Sequence, residues 1–198
     1  MIPPVLEKMP TTPKIKRPFP QGGPICLNLG GAGEGYISGK IPGFHILDLR
    51  DVEDTDIVGD ISDLSFCADG TVDKIYCSNA LEHFPHTDTV KVLSEWNRAL
   101  KTGGKAYISV PDFDTVVKLY LKTGLTAWLK YHVWGDQAHP LNYHYVNFTF
   151  SSIADDLYNA GFSDVERVKS FPFGVKDASE LVDTWTNTKI SLNVVATK

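Results

Sequence analysis
The sequence has no apolar run near the roughly 18 residues of a membrane span. Its first stretch, MIPPVLEKMPTTPKIKRPFPQGGP, is proline-rich and carries no apolar segment of the signal-peptide kind. Neither a membrane partner nor export is expected, and the expected location is cytoplasmic. Basic residues are scattered, with no run beyond Lys14-Ile15-Lys16-Arg17, and the net charge is -5. A chain without a basic patch has no footprint for long nucleic acid. Cysteine is scarce. Cys26, Cys67 and Cys77 are an odd number without metal-ligand spacing, so they read as reduced, partly buried thiols. No internal repeat is visible, no metal site is expected, and the oligomeric state is left open.

What is present is a 198-residue chain, 42% hydrophobic, which suits one domain with a sizeable core. Residues 1–24 read as an arm, extended on the domain or partly disordered, and residues 25–198 as the domain. Short apolar runs alternate with helical patterns. Strands are expected at 25–29, 44–49, 56–58, 73–77, 105–110, 165–170 and 190–197. Helices are expected at 86–100, 112–122 and 151–160, the last with Thr149 or Ser151 as N-cap and Gly161 as its stop. In the second of these, Val116, Leu119 and Tyr120 share a face. Residues 124–148 are less regular and rich in Trp, His and Tyr, and form an expected insertion on the substrate side. Within them Trp128, Tyr131 and Trp134 are spaced to pack the core. The alternation implies an α/β fold with a mostly parallel sheet covered on both faces.

Such sheets bind ligands beyond the carboxyl ends of their strands, where the strand order reverses. That explains CLNLGGAGEGY, in which Gly30, Gly31, Gly33 and Gly35 follow the first expected strand. Without Cβ atoms the turn admits positive φ and lets backbone approach a ligand. Asp48 ends the next strand, 18 residues after Gly30, where a carboxylate can accept from two ribose hydroxyls. Asp60, in VGDISDL, and Asn79-Ala80-Leu81-Glu82-His83 follow two further strands. The glycines read G-G-x-G-x-G, which is not the dinucleotide spacing, so NAD is disfavoured.

The ordered segments LNLGGAGEGY, HILDLRDV, DIVGDISDL, VDKIYCSNALEHF and LKTGGKAYISVPDF resemble class I S-adenosyl-L-methionine (SAM)-dependent methyltransferases. More narrowly they resemble the small methyltransferase-11-like proteins, over about residues 25–113. AGFSDVERV and ISLNVVATK resemble that family's last strand pair. The resemblance implies a Rossmann-like, seven-stranded, mostly parallel sheet with its last strand antiparallel. It also implies SAM as cofactor. Gly30, Gly31, Ala32 and Gly33 would face the methionine part, and Asp48 with Leu49 the ribose. Asp60 and Ile61 would flank the adenine, and Asn79 and Leu81 would line the pocket floor. Asn28 stands where the family often has an acid.

Methyl transfer from a sulfonium asks the protein to align the nucleophile and exclude water. A base is needed when the nucleophile is a hydroxyl. GDQAHPLNYHYVNFT offers His139 and His144 as catalytic residues and Tyr143 as a substrate contact, with Asp112 after the fifth strand as a second. His83 reads as structural or cofactor-side. The expected partner is a small-molecule acceptor with a hydroxyl. Its sugar-like character comes only from resemblance to small methyltransferases of bacterial surface-glycan pathways. Two other readings remain at this stage: a non-catalytic SAM-binding module and an NAD-dependent oxidoreductase.

Overall fold
The computed structural model describes residues 12–32, 40–183 and 185–198. Strands β1 (Lys14–Ile15), β2 (Cys26–Leu29), β3 (His45–Asp48) and β4 (Ile57–Val58) precede β5 (Val72–Ser78). Then follow α1 (Thr89–Ala99), β6 (Leu100–Pro111), α2 (Phe113–Thr123), α3 (Ala127–Trp134) and α4 (Phe150–Asn159). Strands β7 (Asp164–Val168), β8 (Val182–Asp183), β9 (Thr188–Lys189) and β10 (Ser191–Thr197) complete the described strands and α-helices, with 3-10 turns at Leu81–His83 and Ala178–Glu180. The main sheet runs β1-β4-β3-β2-β5-β6-β10-β7. Strands β4, β3, β2, β5 and β6 are parallel neighbours, and β10 is antiparallel to both β6 and β7. This is the expected α/β sheet, with an eighth strand added. Lys14 and Ile15 of the N-terminal arm pair antiparallel with β4. Lys16 and Arg17 anchor the arm further through Asp51 and Asp56.

Strand side chains alternate faces, and here the two faces are covered differently. Leu27, Leu29, Ile75, Cys77, Ala106, Ile108, Val110, Leu192 and Val194 form one core with Leu93 and Trp96 of α1 and Ile153 and Leu157 of α4. Trp96 is fully buried, and its indole nitrogen donates to the carbonyl of Ile61 at 2.7 Å. The opposite face, with Tyr76 and Tyr107, is closed by Phe171, Phe173 and Val175 of a non-helical segment. The Tyr76 hydroxyl donates to Asp177 at 2.5 Å, which fastens that segment to the sheet.

Thr149 caps α4 reciprocally with Ser152. The aromatic stretch after Gly124 corrects an expectation, because it contains the helix α3. That helix buries Leu129 and His132 and half-buries Trp128, while Tyr131 and Trp134 are exposed. The three aromatics do not form one buried stripe, since Trp128 packs with Leu129 and Val133 against the cluster that holds Val116 and Leu119 of α2, while Tyr131 and Trp134 face outward. On α2, Val116 and Leu119 are buried but Tyr120 is half exposed, so the stripe is narrower than expected. Among the described residues, no helix is long and apolar enough to cross a membrane.

All three cysteines are free and buried. Burial raises each thiol, Cys67 to about 11. The thiolate is the reactive form. The native protein should therefore show almost no fast reaction with a thiol reagent at pH 7.5, and three reactive thiols in denaturant. A fast-reacting thiol in the native state would contradict the packing of β2, β5 or the turn at Cys67.

Candidate active site
The strand order reverses between β2 and β5, so the crevice lies beyond Leu29 and Ser78. The two turns there come very close. Gly30 has φ +74°, and a Cβ on it would sit 2.8 Å from the Ala80 Cβ; a Cβ on Gly31 would overlap the Asn28 side chain at 2.4 Å. Asn79 holds φ +50° without being glycine, and its amide donates to Ser109 of β6. Such conformations are costly and gather at ligand sites. Among the described residues, buried side-chain oxygens of Ser78, Asn79, Ser109 and Asp112 have no hydrogen-bond partner. A cradle that excludes Cβ atoms, edged by unpartnered polar oxygens, fits a polar cofactor lying across the strand ends. Residues 33–39 lie outside the described residues, and with them the Gly33 and Gly35 expectations.

Asp48 is buried at the end of β3. One carboxylate oxygen accepts from the amide and Nε of Arg50, and the other from the Ala32 amide and the Arg50 guanidinium. Arg50 also reaches the Ala32 carbonyl. A ribose placed on Asp48 must therefore displace the guanidinium, whose side chain is half exposed. Exposed ion pairs are worth about 0.2–1 kcal/mol. Arg50→Ala should thus tighten S-adenosylhomocysteine by up to about five-fold by calorimetry. A tenfold loss would instead make Arg50 a cofactor contact.

The other expected residues divide. Asp60 closes its own turn, accepting from Ser62, and Ile61 is buried with its carbonyl on Trp96. Leu49 follows β3 directly, and Leu81 is fully buried in the core. Asp112 is 1% exposed and does not cap α2; one oxygen takes Thr115 and Arg167, and the other is unpartnered. Tyr143 is partly exposed, and its carbonyl meets His83 Nδ1 at 3.0 Å. His139 is exposed, and its contacts stay within its own turn, with Leu141 and Asn142.

His144 is brought to the crevice from a distance. Residues 142–146 run beside the 3-10 turn Leu81–His83, where the Tyr145 amide donates to the Glu82 carbonyl. Gly135 permits this crossing, because a Cβ there would lie 2.2 Å from the Asn142 carbonyl. The His83 and His144 rings meet edge to face at 4.9 Å. His144 Nδ1 lies 3.0 Å from the His132 carbonyl. A carbonyl only accepts, so both Nδ1 atoms carry hydrogen and the neutral rings present Nε2 lone pairs. Burial lowers His83, and burial with the neighbouring His83 lowers His144 to about 4. Glu82 is 1% exposed, neither carboxyl oxygen has a hydrogen-bond partner among the described residues, and burial pushes it up to about 8.

Sequence reasoning passed over Glu82 and Arg50. The signal for Glu82 was present: a carboxyl wedged between apolar Leu81 and His83 immediately after a buried strand.

A family profile described as "Methyltransferase domain" matches residues 46–108, from β3 into β6. No curated protein matches the sequence. Among solved structures, a SAM-dependent methyltransferase from Archaeoglobus fulgidus aligns with TM-score 0.56 and 14% identity, over 91% of this chain and 88% of that one. A SAM-dependent methyltransferase from Thermotoga maritima gives 0.55 and 15%, over 88% and 81%. The 1,6-didemethyltoxoflavin-N1-methyltransferase of Burkholderia thailandensis, solved with S-adenosylhomocysteine, gives 0.52 and 18%, over 89% and 72%. At such identities the structures speak for the fold, while the profile speaks for the segments that frame the crevice. The chain thus carries a methyltransferase-domain segment at residues 46–108 within the fold of the class I SAM-dependent methyltransferases, as an enzyme whose cofactor is S-adenosyl-L-methionine.

Proposed function
We propose that this methyltransferase acts on a hydroxyl of a small-molecule or sugar-like acceptor in the cytoplasm. The observation that carries the reading is the convergence of the Glu82 carboxyl and two imidazoles, His83 and His144, at the end of β5. A hydroxyl must lose its proton to become a good nucleophile, whereas a neutral amine attacks without prior proton loss. Groups that accept and orient an O–H are therefore what a hydroxyl acceptor requires. The bound cofactor supplies an electrophilic methyl group on a sulfonium.

The chain's own residues do the rest. Asp48 and Leu49 hold the ribose, with the Arg50 guanidinium moved aside. The turn Gly30, Gly31, Ala32 and Gly33 receives the methionine part. Asp60 and Ile61 border the adenine, and Asn79 and Leu81 form the floor. The cluster of Glu82, His83 and His144 orients the acceptor oxygen, while Tyr143 and Asp112 contribute to its pocket, with His139 as a further histidine on the acceptor side. Three free, buried thiols agree with a reducing compartment.

The test is transfer of labelled methyl from SAM across a panel of sugars, phenols, carboxylates and amines. Label on hydroxyl acceptors is the expected result. Label on amines alone would overturn the acceptor class while leaving the cofactor assignment intact.

A further inference from the structure
We propose that Glu82, His83 and His144 bind a divalent first-row transition-metal ion. In its role, though not in its binding, the ion rests on the methyl-transfer reading above: its open positions take the acceptor's hydroxyl oxygen.

Three independent features point to it. First, one donor atom from each residue lies within 4.8 Å of the others. A metal about 2.1 Å from each donor needs donor separations of roughly 3–3.5 Å, so the donors close by about an ångström or two on binding. Second, each imidazole is held as metal-binding histidines usually are. Its Nδ1–H is given to a backbone carbonyl, of Tyr143 for His83 and of His132 for His144, both at 3.0 Å. That contact fixes the ring and leaves Nε2 as the ligand atom. Third, the Glu82 carboxyl is 1% exposed, with both oxygens unpartnered among the described residues. Leaving such a group unsatisfied is costly, and a cation removes the cost.

The donor set selects the class of ion. Two imidazoles and one carboxylate suit manganese, iron, cobalt, nickel or zinc, whereas calcium and magnesium prefer all-oxygen shells. Three protein ligands also leave positions open, as catalytic metal sites do. The cluster sits on the turn after β5, at the reversal of strand order, so an exogenous oxygen bound there lies at the cofactor crevice.

The experiment uses the full chain, stripped with a chelator and titrated with Co²⁺ alone, read by visible absorption and calorimetry. About one Co²⁺ per chain with a ligand-field spectrum is expected. Glu82→Gln and His144→Gln, two near-isosteric changes, should each weaken it by more than about tenfold. S-adenosylhomocysteine calorimetry on the same samples should show unchanged affinity and so report that the fold is kept. No Co²⁺ binding by the wild type, or wild-type affinity in both variants, overturns the site. A protein that binds S-adenosylhomocysteine but not Co²⁺ refutes the metal and spares the function. One that binds Co²⁺ but not S-adenosylhomocysteine keeps the metal site and refutes the function.

Discussion

Asp48→Ala is expected to weaken S-adenosylhomocysteine binding by roughly two to four orders of magnitude. A carboxylate that accepts from two ribose hydroxyls makes two charge-assisted bonds, each worth about 1.5–3 kcal/mol. Asp48 is placed for this at the carboxyl end of β3, beside the turn that begins at Gly30. Its removal also frees Arg50 and leaves the Ala32 amide without its side-chain acceptor. A modest loss of stability should follow, of about 1–3 kcal/mol. Far-UV circular dichroism at 25 °C should be unchanged. Calorimetric titration of the folded variant is the check, and an affinity within threefold of the wild type would mean that Asp48 serves only the Arg50 pair.

The second large effect is on stability. Trp96→Ala should cost about 3–5 kcal/mol, the range for deleting a fully buried large aromatic. For a chain of this size that is roughly 6–20 °C in Tm. Trp96 fills the space between α1 and the sheet, and its indole nitrogen is the partner of the Ile61 carbonyl. The same substitution therefore loosens the Asp60–Ile61 turn. Cofactor affinity should fall too, by less than for Asp48→Ala, because the turn is displaced rather than removed. Differential scanning calorimetry is the check, and a Tm within 2 °C of the wild type would contradict the packing.

The first half of the site was legible because its signals are local. Gly30 and Gly31 are needed where two turns nearly touch, and Asp48 closes a short apolar strand. The β10 strand was legible for the same reason: Leu192, Val194 and Ala196 alternate onto one face of a fully paired strand. The rest depends on contacts between segments far apart in sequence. His144 meets Glu82 and His83 only because the chain crosses itself at Gly135, and nothing in the LEH triplet announces a partner about 60 residues on. The cover of Tyr76 and Tyr107 by Phe171 and Phe173 lacks any periodicity, so helices were expected on a face that this irregular segment closes. In α3, aromatic spacing suggested a buried stripe, but Leu129 and His132 take the inward side. The two-residue pairing of Lys14 and Ile15 is too short to show in any pattern.

The most direct test of the central claim, that the crevice between β2 and β5 holds SAM, is a calorimetric titration of the wild-type protein with S-adenosylhomocysteine, with NADH as comparison. Saturable binding of one S-adenosylhomocysteine per chain, with no heat from NADH, is the result expected. Binding of NADH with no response to S-adenosylhomocysteine would contradict the account.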